Sequence, residues 1–253
     1  IVTHPDGSYR IEGSALNQRL CLLHWLRRAL RLCPHFVSHQ FTPALKTALK
    51  RHGIARPLYD DTNLRALINF CSRKLQRQFE CRDIQFLQLY LQYCLIQHHQ
   101  GNTPQFSRIQ RSWAQSRGEY FTAQEIVRHW RRRVPQAPHT DEHLFLALLF
   151  MMLRTPDPVL DKHQQDQRLR RTIVRMIARF RAQTGMNFSD EQGLTDQLYI
   201  HLAQALDRSL FEIGIDNSLP EEIHRLYPRL LRTTKEALFE LEAEFGLRFS
   251  DEE

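Results

Sequence analysis

His201 and Arg208, which stand seven residues apart, are of residue types that could do chemistry. In a helix, a separation of seven residues places both side chains on one face, two turns apart. A neutral imidazole offers one nucleophilic nitrogen, and a guanidinium can support negative charge. From the residues alone, the interpretation we favour is the alternative of a structural histidine, half-buried beside Leu198, Leu202 and Ala205, that only makes hydrogen bonds.

Other histidines are spaced so that they could bind a metal ion. His35 and His39 are four residues apart, as are His139 and His143, so each pair could meet on one helix face. Neither pair has an evident third ligand, and we interpret all four as helix-surface histidines. The cysteines show no pair at zinc-ligand spacing and indicate reduced thiols: Cys21, Cys33, Cys71, Cys81 and Cys94. We predict no metal site and no cofactor.

The sequence lacks the motifs of common enzyme classes. It has no recognisable Ser-His-Asp arrangement, glycine-rich phosphate loop or paired catalytic carboxylates. Only 9 of the 253 residues are glycine, which argues against a nucleotide-binding or all-β architecture. No run of 18 apolar residues exists, and the first residues do not form a signal peptide. We predict a cytoplasmic protein that is not an enzyme and does not span a membrane.

Hydrophobic periodicity predicts an all-α protein. A short β-hairpin at residues 2–13 is the exception, because Pro5 and Gly7 favour a turn there. Residues 144–153 are so apolar that they predict a buried core helix. Amphipathic helices are predicted at about 17–33, 41–52, 61–79, 82–98, 121–133, 161–183, 190–212, 221–227 and 228–245. The best domain boundary is Thr155-Pro156-Asp157-Pro158.

Charge is distributed unevenly along the chain. Residues 1–189 contain 29 Lys and Arg against 13 Asp and Glu, whereas residues 190–253 contain 6 against 15. A basic body can attract nucleic-acid phosphates or an acidic partner. It can also consist of arginines that solvate helix faces while their stems cover apolar surface, which is the interpretation we favour.

Two of the predicted helices resemble each other at an offset of 111 residues. One reads LQLYLQYCLIQ at residues 87–97, and the other reads LYIHLAQALDR at residues 198–208. An acidic helix start follows each copy, at Thr140-Asp141-Glu142 and at Ser250-Asp251-Glu252. A repeat of this size implies two similar helical domains in tandem.

These tandem units resemble the phosphotransferase-system regulation domains (PRDs) of bacterial antiterminators and transcription activators. Each domain of that family is a compact helical bundle, and its first signature helix carries a histidine followed seven residues later by arginine. His201 and Arg208 match this pattern. The family then has an Asn-Pro-Leu-like turn and a Tyr-Pro step, which Asn217-Ser218-Leu219 and Tyr227-Pro228 match with Ser in place of Pro.

The resemblance implies that His201 is a phosphohistidine site, supported by Arg208, Asn217 and Tyr227. The first domain departs from the family pattern, because Tyr90 stands where the second domain has His201. Its second acceptor position falls on Leu149. The first domain is therefore expected to be degenerate and unable to accept phosphate on histidine.

Residues 7–13 and 17–20 resemble the wing and exit helix of the activators' DNA-binding domain. We therefore predict four segments along the chain. They are a wing remnant of a truncated helix-turn-helix domain at 1–16, a helical connector at 17–80, a degenerate PRD-like domain at 81–157, and a second PRD-like domain, with its C-terminal helix missing, at 158–253.

The function implied by the resemblance is that of a regulatory, dimerising module of a bacterial transcriptional regulator, controlled by histidine phosphorylation. The implied partners are a second copy of the chain and a phosphocarrier protein or sugar permease subunit. DNA would be bound only through a domain absent from this fragment. The sequence leaves two alternatives open: an interaction scaffold that is not phosphorylated, and direct nucleic-acid binding by the basic body.

Overall fold

A computed structural model describes residues 2–3, 5, 9–132, 140–161, 164–213 and 220–250. The chain divides into two compact units, Ile1–Met151 and Met152–Glu253. The described part is almost entirely helical, which confirms the predicted fold class. Two strands of two residues, Val2–Thr3 and Tyr9–Arg10, pair antiparallel. So short a pairing does not identify a DNA-binding wing, and that assignment stays a prediction.

The first unit begins with helices that the sequence placed in the connector. They are α1 at Ala15–Leu32, α2 at Pro34–Phe36, a π-helical turn at Val37–Phe41, α3 at Thr42–Arg51, a 3-10 turn at Arg56–Leu58, and α4 at Asp61–Leu75. The remaining helices are α5 at Cys81–His99, α6 at Arg108–Gln115, α7 at Gly118–Arg131 and α8 at Thr140–Met152. In the second unit the helices are α9 at Gln164–Thr184, α10 at Glu191–Leu210, α11 at Pro220–Leu226 and α12 at Pro228–Phe245.

Side-chain caps explain where several of these helices begin. The Ser14 hydroxyl accepts a hydrogen bond from the Asn17 N–H at the start of α1. Helix α6, which the hydrophobic pattern did not predict, opens with a capping box between Ser107 and Gln110. Helix α1 ends at Leu32, close to the predicted end at residue 33, and Pro34 begins α2 as its first residue.

The core of the first unit is built around α8. Every residue from Leu144 to Phe150 is 0% exposed, which agrees with the predicted buried core helix. The ring of Phe145 lies 6.2 Å from that of Tyr90 on α5, and the ring of Phe150 lies 6.2 Å from that of Phe79. Burial of this continuous apolar surface is the main force that holds the unit together.

The two units repeat one packing arrangement. In the first unit α4 packs against α5 and α7, and α6 packs against α7. In the second unit α9 packs against α10 and α12, and α11 packs against α12. Helices α5 and α10 therefore occupy equivalent places, as the sequence repeat predicted.

The burial of the cysteines leads to a prediction about their reactivity. Cys33 and Cys81 are exposed, whereas Cys71 and Cys94 are buried. Burial raises the pKa of the Cys71 thiol to about 12 and also raises the pKa of Cys94. Thiolates are the reactive form, so we expect Cys33 and Cys81 to react with a thiol reagent at mildly alkaline pH while Cys71 and Cys94 do not. Peptide mapping after alkylation measures this, with denatured protein as the control. Labelling of Cys94 in the folded chain would contradict the described core.

Candidate functional site

Helix α10 presents His201 to solvent. The carboxylate of Asp190 accepts a hydrogen bond from the Gly193 N–H and caps the first turn of the helix. Tyr199, Ala203 and Leu206 face inward and belong to the apolar core of the second unit. His201 lies off this buried face and is exposed. The alternative interpretation, a half-buried structural histidine, is therefore wrong as to burial.

The other predicted residues of this site are only partly brought together. Arg208 is half-buried in the last turn of α10, about 10 Å along the helix axis from His201. Tyr227 precedes α12 as its N-cap residue and is 57% exposed. Asn217 lies outside the described residues. Of the two supporting residues that the structure describes, Arg208 is on the same helix as His201 and Tyr227 is not.

The two positions of the first unit that correspond to acceptor histidines in the family are buried. Tyr90 and Leu149 are both 0% exposed. The Tyr90 hydroxyl donates a hydrogen bond to the backbone carbonyl of Arg19, and its ring stacks on Phe86 at 5.2 Å. Burial raises the pKa of the Tyr90 hydroxyl well above its ordinary value. These two positions are structural, and neither offers a nucleophile to a partner.

A buried ion pair lies next to Tyr90. The guanidinium of Arg19 donates to both carboxylate oxygens of Glu142, at 2.7 and 3.0 Å, and to the carbonyl of Asn102 at 2.9 Å. Both charged side chains are 0% exposed. Burial works against the charged form of Arg19, yet the attraction and hydrogen bonds of Glu142, together with the nearby Cys94 and Tyr90, outweigh it, and the pKa of Arg19 is raised. This pair fixes the connector helix α1 to the core helix α8, and the sequence reasoning missed it.

The second unit has a buried polar cluster of its own. Arg154 forms ion pairs with Asp161 and Asp166, and it donates to the hydroxyl oxygen of Tyr199 at 3.3 Å. The Tyr199 hydroxyl donates to Asp161 at 2.9 Å. The pKa of Tyr199 is raised, first by burial and then by the nearby charge of Asp166. The cluster connects residues 154–161 to α9 and to the inner face of α10. Its residue on α10, Tyr199, lies two positions before His201 in the chain.

The histidine pairs do not form metal sites in the part of the chain that the structure describes. His35 and His39 are exposed and stack with their rings 5.9 Å apart. His143 is half-buried beside Tyr120 rather than on the surface, and His139 lies outside the described residues. Among the described residues, no group of three His, Cys, Asp or Glu side chains could hold a metal ion. No helix there is long and apolar enough to cross a bilayer.

Comparison with known proteins connects this arrangement to one family. The PRD domain model matches residues 65–152 and 174–253, so its first match begins within α4. The stationary phase-inducible protein CsiE of Escherichia coli (strain K12) is 64% identical over 253 residues, which is 100% of this chain and 59% of that protein. The chain therefore spans about three fifths of the length of this curated relative. No solved structure matches the chain. With two matched regions in the two helical units, the chain belongs to the PRD family, which points to a regulatory role.

Proposed function

We propose that this chain is the regulatory, dimerising part of a bacterial transcriptional regulator, and that His201 accepts a phosphoryl group from the sugar phosphotransferase system. One observation carries the proposal. His201 is exposed on α10, whereas Tyr90, at the equivalent position of α5, is sealed in the core. The second domain therefore offers an imidazole to a phosphoryl donor at this position and the first does not.

The proposed chemistry is transfer between two imidazoles. The unprotonated nitrogen of His201 attacks the phosphorus of a phosphohistidine on the donor, a phosphocarrier protein or sugar permease subunit. A phosphorus–nitrogen bond forms at His201 while the like bond on the donor breaks, and the donor histidine leaves. No metal or cofactor is needed for this exchange.

Phosphorylation would act through local charge. A phosphoryl group adds up to two negative charges to a region that is already acidic, since residues 190–253 contain 15 Asp and Glu against 6 Lys and Arg. Such a group either recruits arginine, for which Arg208 is the candidate on α10, or repels neighbouring acids. Either effect can favour one of two dimer arrangements.

On this proposal, DNA is contacted by a helix-turn-helix domain that lies outside the described helices. Residues 1–16 would be the wing of that domain. The protein would act in the cytoplasm, where the phosphocarrier is found. Direct nucleic-acid binding by the basic body is the weaker alternative, and salt-sensitive binding of duplex DNA by this chain alone would support it.

A second candidate is an interaction scaffold that is never phosphorylated. The first domain favours it, because the buried residues Tyr90 and Leu149 stand at its two acceptor positions. The two candidates differ in a single property, which is the reactivity of His201.

Transfer of radiolabelled phosphate separates the two candidates. We expect the chain to be labelled when it is incubated with labelled phosphoenolpyruvate, enzyme I and the histidine phosphocarrier. His201→Ala is expected to abolish the label. His224→Ala removes another exposed histidine of the same unit and should leave the label unchanged. An unlabelled wild-type chain would exclude the phosphorylation proposal and leave the scaffold. Equal labelling of His201→Ala would exclude both candidates, because another residue would then be the acceptor.

A further inference from the structure

One face of α12 is exposed along its length and carries a stripe of charged and aromatic side chains. Arg229, Arg232, Lys235 and Phe239 follow one another at spacings of three or four, Glu236 lies four residues after Arg232, and all five residues are exposed. Phe239 is 61% exposed, and the side chains of Arg232 and Glu236 are 76% and 51% exposed. At helical spacing these residues form a single surface.

The charges on this helix run against its dipole. The first turn of α12 contains no acidic residue, and the last turn contains no basic one. Instead, Arg229, Arg232 and Lys235 come first along the helix, and Glu236, Glu240, Glu242 and Glu244 follow them. Acids are favoured near helix N-termini and bases near C-termini, so this order gains nothing from the helix dipole. Within the helix, Arg232 and Glu236 lie at ion-pair distance, 4.0 Å apart.

Helix α9 accounts for part of the arrangement. Arg168 and Arg175 form ion pairs with Glu244, and Arg179 forms one with Glu240 at 3.2 Å. These contacts lie on the side of α12 that faces α9. The exposed stripe lies on another side of α12, which α9 does not cover. It begins with basic residues and includes Glu236.

The stripe is complementary to itself. If a second α12 lies antiparallel about a two-fold axis between Lys235 and Glu236, each residue before the axis faces one the same distance after it. Lys235 then faces Glu236, and Arg232 faces Phe239. Arg229 faces Glu242, a half-buried residue outside the stripe whose carboxylate also accepts a hydrogen bond from the Phe249 N–H at 3.0 Å. Opposite charges meet at two of these positions, and a guanidinium meets an aromatic ring at the third.

We propose that the exposed face of α12 is a homodimer interface, formed by antiparallel pairing with α12 of a second copy. This inference rests on the dimer of the proposed function and names the surface that forms it. An isologous contact of this kind closes on itself and stops at two copies.

A groove beside the stripe provides room for the aromatic contact. It has a volume of about 510 Å³ and is lined by Arg179, His224, Leu231, Arg232 and Phe239, among others. In the antiparallel arrangement, Phe239 of the second copy approaches Arg232 at this groove. The ring would lose much of its exposure there, which gives the charge pairs an apolar contribution.

The polarity of the stripe also decides between kinds of partner. A nucleic acid or a uniformly acidic peptide would be attracted by the first half of α12 and repelled by the second half. A partner that fits both halves must carry the same charges in reverse order, and an antiparallel α12 does. The 18-residue helix is about 27 Å long, so a single pair of such helices forms a small interface. We expect a weak dimer with a Kd on the order of micromolar that dissociates at high salt.

Sedimentation equilibrium of the full chain tests the interface by charge reversal. Lys235→Glu and Glu236→Lys each place like charges together twice across the two-fold axis. We expect each single variant to raise the dimer Kd about tenfold or more. The double variant Lys235→Glu/Glu236→Lys restores both pairs and should return the Kd to within about threefold of wild type. Phe239→Ala should also weaken the dimer, whereas Lys50→Glu, an exposed reversal on α3, should not.

The proposal is overturned if the wild-type chain stays monomeric at all accessible concentrations. It is also overturned if the single reversals leave the Kd unchanged, or if the double variant is as weak as either single one. Since all these positions are exposed, circular dichroism should show unchanged helix content in each variant. Phosphoryl labelling tells failure of the two proposals apart. A labelled wild-type chain whose Kd does not respond to the reversals keeps the acceptor without this interface, and an unlabelled chain whose Kd does respond keeps the interface without the acceptor.

Discussion

Glu142→Gln is expected to lower the free energy of unfolding of the first unit by about 3–5 kcal/mol. The substitution keeps the shape of the side chain but removes its charge, which leaves the Arg19 guanidinium buried without a counter-ion. Arg19 is 0% exposed, so neither water nor salt can replace the lost partner. The loss is therefore much larger than that of a surface pair.

Hydrogen–deuterium exchange of residues 15–32 and 81–99 measures this effect locally, which is needed because two units need not unfold together. The double variant Arg19→Met/Glu142→Leu is expected to be more stable than Glu142→Gln, since it removes both buried charges. Arg128→Gln breaks an exposed pair with Glu125 and should change stability by less than about 1 kcal/mol. If Glu142→Gln exchanges like wild type, the ion pair does not hold α1 to the core.

Arg154→Met is expected to destabilise the second unit by about 3–4 kcal/mol. It removes the cation between Asp161 and Asp166 and leaves two carboxylates close together near the buried Tyr199. Faster hydrogen exchange should be confined to residues 154–161 and to α9 and α10. Residues 15–132 should exchange as in wild type, which serves as the internal control. Unchanged exchange in α10 would mean that the cluster does not support the helix that carries His201.

Most of the helices could be predicted from the sequence because their signals are local. Apolar side chains at spacings of three and four mark α4, α5 and α9, and the apolar run at residues 144–153 marks α8. The equivalence of α5 and α10 was visible in the repeat itself. Helix α6 was not predicted because it is short and most of its residues are polar. The Ser107 and Gln110 pattern of a capping box does indicate where it starts.

The polar networks could not be predicted, because their partners are distant along the chain. Arg19 and Glu142 are separated by 123 residues. Nothing in the sequence distinguishes Arg19 from the many arginines that solvate helix faces. Only the packing of α1 against α5 brings Arg19 beside Tyr90, and it thereby explains why the tyrosine is sealed. The exposure of His201 likewise depends on which face of α10 the core of the second unit covers.

The central claim, that one domain presents an acceptor and the other does not, is tested most directly by mass spectrometry of the intact chain after phosphotransfer. We expect one phosphoryl group per chain, located on His201 by fragmentation under conditions that preserve phosphohistidine. It should be absent from every peptide of residues 15–132. A chain that gains no phosphoryl group, gains two, or carries the group on a residue of the first unit would contradict the claim.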